Sequence, residues 1–229
     1  MNFLICFLFL NFINIKSFHI VLKQNSCLIN EDIKAFCSCS NSKKDFEIVC
    51  KNINFIPYIN SSVLDLTIIY QLRFTIYNLL NATNLKNNEL NCNLITFLEI
   101  SNSIIQNIED DAFLYLNNLG NLIITSSRLE ILQKKLFREL VNLGFMLLNK
   151  NSIWKIESGA FDSLRNLNQL DLSFNNLELL PENLFKNNSK ILVIILKSNK
   201  LKLISNFFYS KNDIIALIDY SYNNIRQLD

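Results

Sequence analysis

Glycine and proline are nearly missing from this chain, with 3 Gly and 2 Pro in 229 residues. Gly120, Gly144 and Gly159 stand isolated, so no glycine-rich loop is available to cradle a phosphate. Histidine is rarer still. The one copy, His19, lies beside an amino-terminal apolar run expected to be removed, which excludes a Ser-His-Asp triad or a Cys-His pair from the mature chain. Charge of one sign is also lacking. The net charge is +2, without the concentrated basic stripe of a nucleic-acid binder, so no nucleic-acid partner is expected. Nor is there a long hydrophobic run. Phe3 to Ile13 is apolar except for Asn11, too short for the ~20 residues that span a bilayer. It fits the hydrophobic region of a signal peptide over residues 1–17, although no Lys or Arg precedes it and Ile15-Lys16-Ser17 is a poor cleavage site. No membrane span is expected within the chain, and the setting expected is secreted or extracellular.

What is present is apolar and periodic. Half the residues are hydrophobic, enough for a large core. The segment from Leu167 through Leu170, Leu172, Asn175, Leu177 and Leu180 to Pro181 follows L-x-x-L-x-L-x-x-N-x-L-x-x-L-P. It recurs every 24 residues. Later copies run through Ile191, Ile194, Leu196 and Asn199, then Ile215, Ile218, Tyr220 and Asn223. Earlier ones run through Leu143, Met146, Leu148 and Asn151, then Leu119, Leu122, Ile124 and Ser127, then Ile95, Leu98, Ile100 and Ser103. A second ladder keeps the same step: Phe113, Phe137, Phe161, Phe185 and Tyr209. A fixed period of this length is the mark of a stacked repeat architecture.

Elementary stereochemistry turns the pattern into a coil. Side chains alternate along a strand, so both apolar residues of L-x-L point inward from a short strand. The Asn side chain can bond backbone groups where the chain leaves the strand, and stacked copies would form an internal Asn ladder. Ser103 and Ser127 replace Asn in the first two copies, which weakens the ladder there. The Phe ladder is expected to fill the wider side of the coil. The fold expected is an α/β solenoid: about six 24-residue repeats over residues 95–229, a degenerate first repeat over 63–94, and irregular or short helical returns behind a curved parallel sheet. The first repeat stays ambiguous between Ile69, Leu72, Phe74 and Leu79 on one hand and Val63-Leu64-Asp65-Leu66 on the other.

The repeats, with F-x-x-L in Phe113-Leu114-Tyr115-Leu116 and Phe161-Asp162-Ser163-Leu164, resemble the typical extracellular class of leucine-rich repeats. Residues 18–62 sit where a solenoid needs a cap. Cys27, Cys37, Cys39 and Cys50 cluster there as C-x9-C-x-C-x10-C. With a secretion signal, the cluster points to a disulfide knot; zinc is the competing possibility, though it prefers closely spaced pairs. The segment resembles the Cys-rich amino-terminal flank of extracellular leucine-rich-repeat proteins. That resemblance implies bonds Cys27–Cys39 and Cys37–Cys50. Cys27 to Cys39, with Glu31-Asp32-Ile33 inside it, also resembles the cap of secreted arthropod proteins labelled as a non-catalytic subunit of an Oplophorus-type luciferin monooxygenase. Leu28 and Phe36 stand where that cap has Pro.

Chemistry-bearing candidates are few, and neither a cofactor nor a metal is expected. Asp110-Asp111 is a carboxylate pair in a segment where repeats place solvated loops, with a metal or acid–base site as the alternative. Cys92 is either a buried thiol or a residue awaiting a partner. Asn60, Asn81 and Asn187 head N-x-S/T sequons, candidate glycan sites in a secreted chain. Lys186, Lys190, Lys197, Lys200, Lys202 and Lys211 run without an acid between Phe185 and Asn212; they are either an anion-binding surface or Lys scattered over solvated faces.

The residues flanking the inward leucines are expected to face the inner surface of the horseshoe. These are Phe97 and Glu99; Asn121, Ile123 and Thr125; Phe145, Leu147 and Asn149; Gln169, Asp171 and Phe174; Val193, Ile195 and Lys197; and Leu217, Asp219 and Tyr222. Many are apolar, and large exposed apolar patches mark binding surfaces, though the chain's overall bias toward Phe and Ile supplies a plainer origin. The expectation is a non-enzymatic extracellular module that binds a protein ligand or receptor on this face. The alternative is a non-catalytic accessory subunit of a luciferin-monooxygenase-type complex. The sixth copy stops one residue after Leu228, without a closing Cys cluster. That suggests either a truncated chain or a dimer through an open carboxyl-terminal end.

Overall fold

A computed structural model describes residues 19–23, 26–29, 37–42, 45–51, 58–60, 71–77, 79, 84–85, 95–204 and 215–228. Its main body is one nine-stranded sheet in which spatial order follows chain order. The strands are Cys37–Ser42, Asp45–Lys51, Gln71–Tyr77, Ile95–Ser101, Asn121–Thr125, Phe145–Leu147, Gln169–Asp171, Val193–Ile195 and Leu217–Asp219. The first two pair antiparallel, and every later pairing is parallel. Parallel neighbours need a long crossover, and each repeat supplies one.

Register follows the apolar ladder. Leu98, Leu122, Met146, Leu170, Ile194 and Ile218 stand side by side on successive strands. The first five are fully buried, as are Ile100, Ile124, Leu148, Leu172 and Leu196, so the L-x-L residues fill the interior. Behind them the rings of Phe113, Phe137, Phe161 and Phe185 stack with centroids 6.2, 6.1 and 5.7 Å apart, all buried. Tyr209 lies outside the described residues.

The Asn ladder forms as the pattern requires. Asn175 Nδ2 donates to the carbonyls of Leu148, Leu172 and Ser173, at 3.0, 2.9 and 3.2 Å, and its Oδ1 accepts from Ile153 N–H at 2.9 Å. Asn151, Asn199 and Asn223 repeat this arrangement. Ser127 has one hydroxyl proton, which goes to the Thr125 carbonyl at 3.2 Å, and its oxygen accepts from Ser103 N–H at 3.4 Å. The first copies are thus held by fewer and longer bonds.

The helical component expected of an α/β solenoid does not appear among the described residues. The returns are chains of four-residue turns instead. Leu116 N–H donates to the Phe113 carbonyl at 3.1 Å, Leu119 N–H to Leu116 at 2.9 Å, and Leu140 and Leu164 N–H groups to Phe137 and Phe161 at 3.1 and 3.0 Å. Bonds of this i to i+3 kind close a tight turn. They advance the chain to the next strand within the few residues a 24-residue coil leaves over.

Of the two segments offered for the first repeat, the one containing Leu72 and Phe74 forms a strand, Gln71–Tyr77, in the sheet. Phe74 and Ile76 stand opposite Leu98 and Ile100 and are buried. The register slips there: Leu72 faces Ile95 while Arg73 faces Phe97. On the return side, Leu85 faces Ile108, one residue short of the 24-residue step. Those slips are why spacing alone could not place it. The alternative at 63–66 lies outside the described residues.

Part of the segment expected to be a cap joins this sheet directly. Ile48 and Cys50 face Phe74 and Ile76 and are fully buried, so Asp45–Lys51 acts as a first coil strand. Cys37–Ser42 folds back on it antiparallel, with Cys37 directly opposite Cys50. A separate sheet joins Ser26–Ile29, His19–Lys23 and Tyr58–Asn60. Residues 1–17, expected to be a signal peptide, lie outside the described residues, as do Cys92 and Asn81.

Candidate binding surface

Alternation sends the residues between the buried leucines to the opposite, open face of the sheet. Three columns result, each running across the strands. One holds Arg73, Phe97, Asn121, Phe145, Gln169, Val193 and Leu217. The next holds Glu99, Ile123, Leu147, Asp171, Ile195 and Asp219. The third holds Tyr77, Ser101, Thr125, Asn149, Ser173, Lys197 and Ser221, which follow the central pair by two residues in each repeat. Fifteen of the seventeen residues expected on this face occupy these columns.

Phe174 and Tyr222 lie beyond these columns. Each follows the third column by one residue, at the point where the chain leaves the strand. Asn102, Ser126, Lys150, Phe174, Ser198 and Tyr222 all have positive φ, between 51° and 57°. Strand alternation has ended there, and both rings remain 49% and 77% exposed. The sequence signal was available, since these residues immediately precede the ladder Asn or Ser where the chain turns.

The face divides in two. Its amino-terminal part is polar and internally paired. The Arg73 guanidinium lies over the Phe97 ring, 3.8 Å from the centroid, and 3.9 Å from Glu47. Ser101 donates to Glu99 at 2.9 Å and shares a hydroxyl–hydroxyl bond with Thr125 at 3.1 Å. Partial burial, then the negative charge of Glu99, raises the Tyr77 phenol above its ordinary pKa. The carboxyl-terminal part is apolar around a few charges. Phe145, Leu147, Val193, Ile195 and Leu217 surround Gln169 and Asp171.

Other candidates fall into structural roles. Asp111 pairs with Arg138, and both are partly exposed. The lysine run finds acids one repeat earlier: Lys186 lies 3.6 Å from Asp162, and Lys202 bonds Glu178. Lys190 donates to Asn166 at 2.7 Å. That Lys202 bond holds the Glu178 carboxyl below its ordinary pKa. Asn187 is exposed, whereas Asn188 takes the buried place that Leu116, Leu140 and Leu164 hold in other copies. Sequence reasoning passed over Trp154 and Leu179, 52% and 61% exposed, which with Pro181 line a shallow groove of about 490 Å³ on a return edge. Their signal was an apolar residue off the ladder. Among the described residues, no group of His, Cys, Asp or Glu is placed to hold a metal, and no helix is long and apolar enough to cross a membrane.

Six copies of the BspA type leucine-rich repeat region match residues 83–215, more than half of the chain. The chain belongs to the leucine-rich-repeat family. No curated protein matches it by sequence. Among solved structures, this leucine-rich-repeat chain is similar to one in the LRIM1/APL1C complex, at 22% identity and a TM-score of 0.64, over 84% of this chain and 36% of that one. A second, from the TLR13-ssRNA13 complex, aligns at 20% identity and a TM-score of 0.49, over 66% of this chain and 28% of the other. The chain thus spans about a third of the length of those proteins, and the likeness to the first speaks to fold alone.

Proposed function

We propose that this leucine-rich-repeat chain is a non-enzymatic binding module that takes a protein partner on the open face of its sheet. One observation carries this: partly exposed apolar residues, Phe145 and Leu147 on one strand and Val193, Ile195 and Leu217 on two others, gather on either side of Gln169 and Asp171 on the open face. Apolar surface of that kind is rare on a face that stays wet. The setting proposed is extracellular, as a secreted or cell-surface protein with glycans at Asn60, Asn81 and Asn187. The exposure of Asn187 and Ser189 supports the last of these. The cap proposed carries Cys27–Cys39 and Cys37–Cys50. Supporting the second bond, Cys37 faces Cys50 across an antiparallel pair, and the buried Cys50 is disulfide-bonded.

A photo-crosslinking residue placed in turn at Leu147, Ile195 and Lys135 tests the binding face. The two face positions should capture the same protein from native secretions, and Lys135, exposed on a return, should not. Capture from Lys135 alone would overturn the assignment. The accessory-subunit reading rests on the Glu31-Asp32-Ile33 cap pattern. It predicts co-purification with an oxidase in fixed ratio.

A further inference from the structure

Two repeats of the solenoid carry the same pattern in the same places. Asp171, Ser173, Phe174 and Asn175 are matched by Asp219, Ser221, Tyr222 and Asn223. The local geometry is shared as well. Ser173 N–H donates to Asp171 Oδ1 at 2.8 Å, and Ser221 N–H to Asp219 Oδ1 at 2.9 Å. Phe174 and Tyr222 both take the left-handed conformation, with φ of 55° and 56°. The left-handed turn recurs at this position in each repeat from Asn102 to Tyr222, but only these two repeats place an aromatic ring on it. Both rings are exposed.

The second copy shows what such a pair holds. Lys197 projects from the preceding strand, and its Nζ sits over the Tyr222 ring, 5.1 Å from the centroid. The Asp219 carboxyl is held below its ordinary pKa, first by hydrogen bonds from Ser221 and further by the Lys197 charge. An acid, an aromatic face and an ammonium thus form one group within the chain. In the first copy the residue equivalent to Lys197 is Asn149. Among the described residues, no Lys or Arg lies over the Phe174 ring and no cation pairs with Asp171. Lys197, which also neighbours that repeat, is engaged with Tyr222.

We propose that Asp171 and Phe174 form a vacant cation seat that receives a Lys or Arg side chain of the protein partner, flanked by the aliphatic surfaces of Leu147 and Ile195. The proposal rests on the open face being the binding surface, and it names the chemistry recognised there. The carboxylate supplies the opposite charge and the ring supplies a negative π face. Leu147 and Ile195, the neighbours of Asp171 in its column, take the apolar residues on either side of the cation.

Two short probes test this on the full chain: N-acetyl-Leu-Lys-Leu-amide and its norleucine-centred counterpart, titrated while the methyl resonances of Leu147 and Ile195 are followed by NMR. The lysine peptide should shift both saturably and bind about 10-fold more tightly than the norleucine one. Asp171→Asn should abolish that preference. Asn149→Lys should do the same by installing the internal lysine that Lys197 supplies to the other copy. Both substituted positions are on the surface, so the variants should fold, which the Ile153 and Leu177 methyl resonances would verify. Equal binding of the two peptides on these methyls would overturn the cation seat while leaving the face itself as a binding surface. Shifts confined to other surfaces, or none, would overturn both. A preference for lysine that survives in Asp171→Asn and Asn149→Lys would also defeat the proposal.

Discussion

The Phe161 and Phe185 rings, 24 residues apart in sequence, stack with centroids 5.7 Å apart and planes 11° from parallel. Each ring is walled by its counterparts, so removing one leaves a hole that its neighbours cannot fill without breaking the stack. Phe161→Ala should therefore cost roughly 3–5 kcal/mol in denaturant titration. Phe174→Asn should stay within about 1 kcal/mol of the parent, because relief of the left-handed strain offsets the ring's modest packing. Equal losses of stability at the two sites would show that Phe174 belongs to the core.

The Asn ladder gives a paired expectation. Asn175→Ala strands buried backbone groups, among them the Ile153 N–H, and should cost roughly 2–4 kcal/mol. Ser127→Asn should run the other way. An Asn there regains the second donor that Ser lacks, and should add about 1 kcal/mol to thermal stability. No gain would mean that the first coils are too displaced to accept the longer side chain.

Asn188 is fully buried where other repeats place leucine. Its Nδ2 donates to the Phe161 and Leu164 carbonyls at 2.9 and 2.8 Å, but among the described residues its Oδ1 has no partner. Both carbonyls already accept a backbone N–H. Asn188→Leu should thus raise stability by about 1 kcal/mol or more. Differential scanning calorimetry would register a higher Tm, and a lower one would show that the amide bonds outweigh the orphaned oxygen.

The Glu178 carboxyl should titrate below the ordinary range for Glu because Lys202 bonds it. A lowered folded-state value makes its contribution present above the unfolded pKa and lost as pH falls through the folded one. NMR titration of the full chain should show this, and Lys202→Met should return the value upward. An unchanged value in the variant would mean that Lys202 is not the cause.

Non-reducing peptide mapping should find Cys27–Cys39 and Cys37–Cys50. The cross-strand placement of Cys37 and Cys50 favours the second pair. A bridge from Cys92 to any cap cysteine would contradict the scheme.

The period was legible because one physical requirement repeats: each coil must bury the same inward pair, orient one amide at the turn and stack one ring. Leu170, Leu172, Asn175 and Phe185 announce that requirement by spacing alone. The open-face columns followed from strand alternation, which is local. Where the sequence reading failed, it lacked the end of the strand. Phe174 and Tyr222 share the parity of the inward residues, yet stay exposed because the backbone turns left-handed at that step. The first repeat was hidden because its register slips at Leu72 and again at Leu85, shifts that hydrogen bonding tolerates but a fixed period cannot express. Only the tertiary structure could decide that Lys197 reaches the ring of Tyr222, while among the described residues no cation lies over Phe174, whose repeat has Asn149 in the equivalent place. Each of those pairs is 25 residues apart in sequence, and their meeting depends on the stacking of coils, not sequence adjacency, which sets what each residue touches.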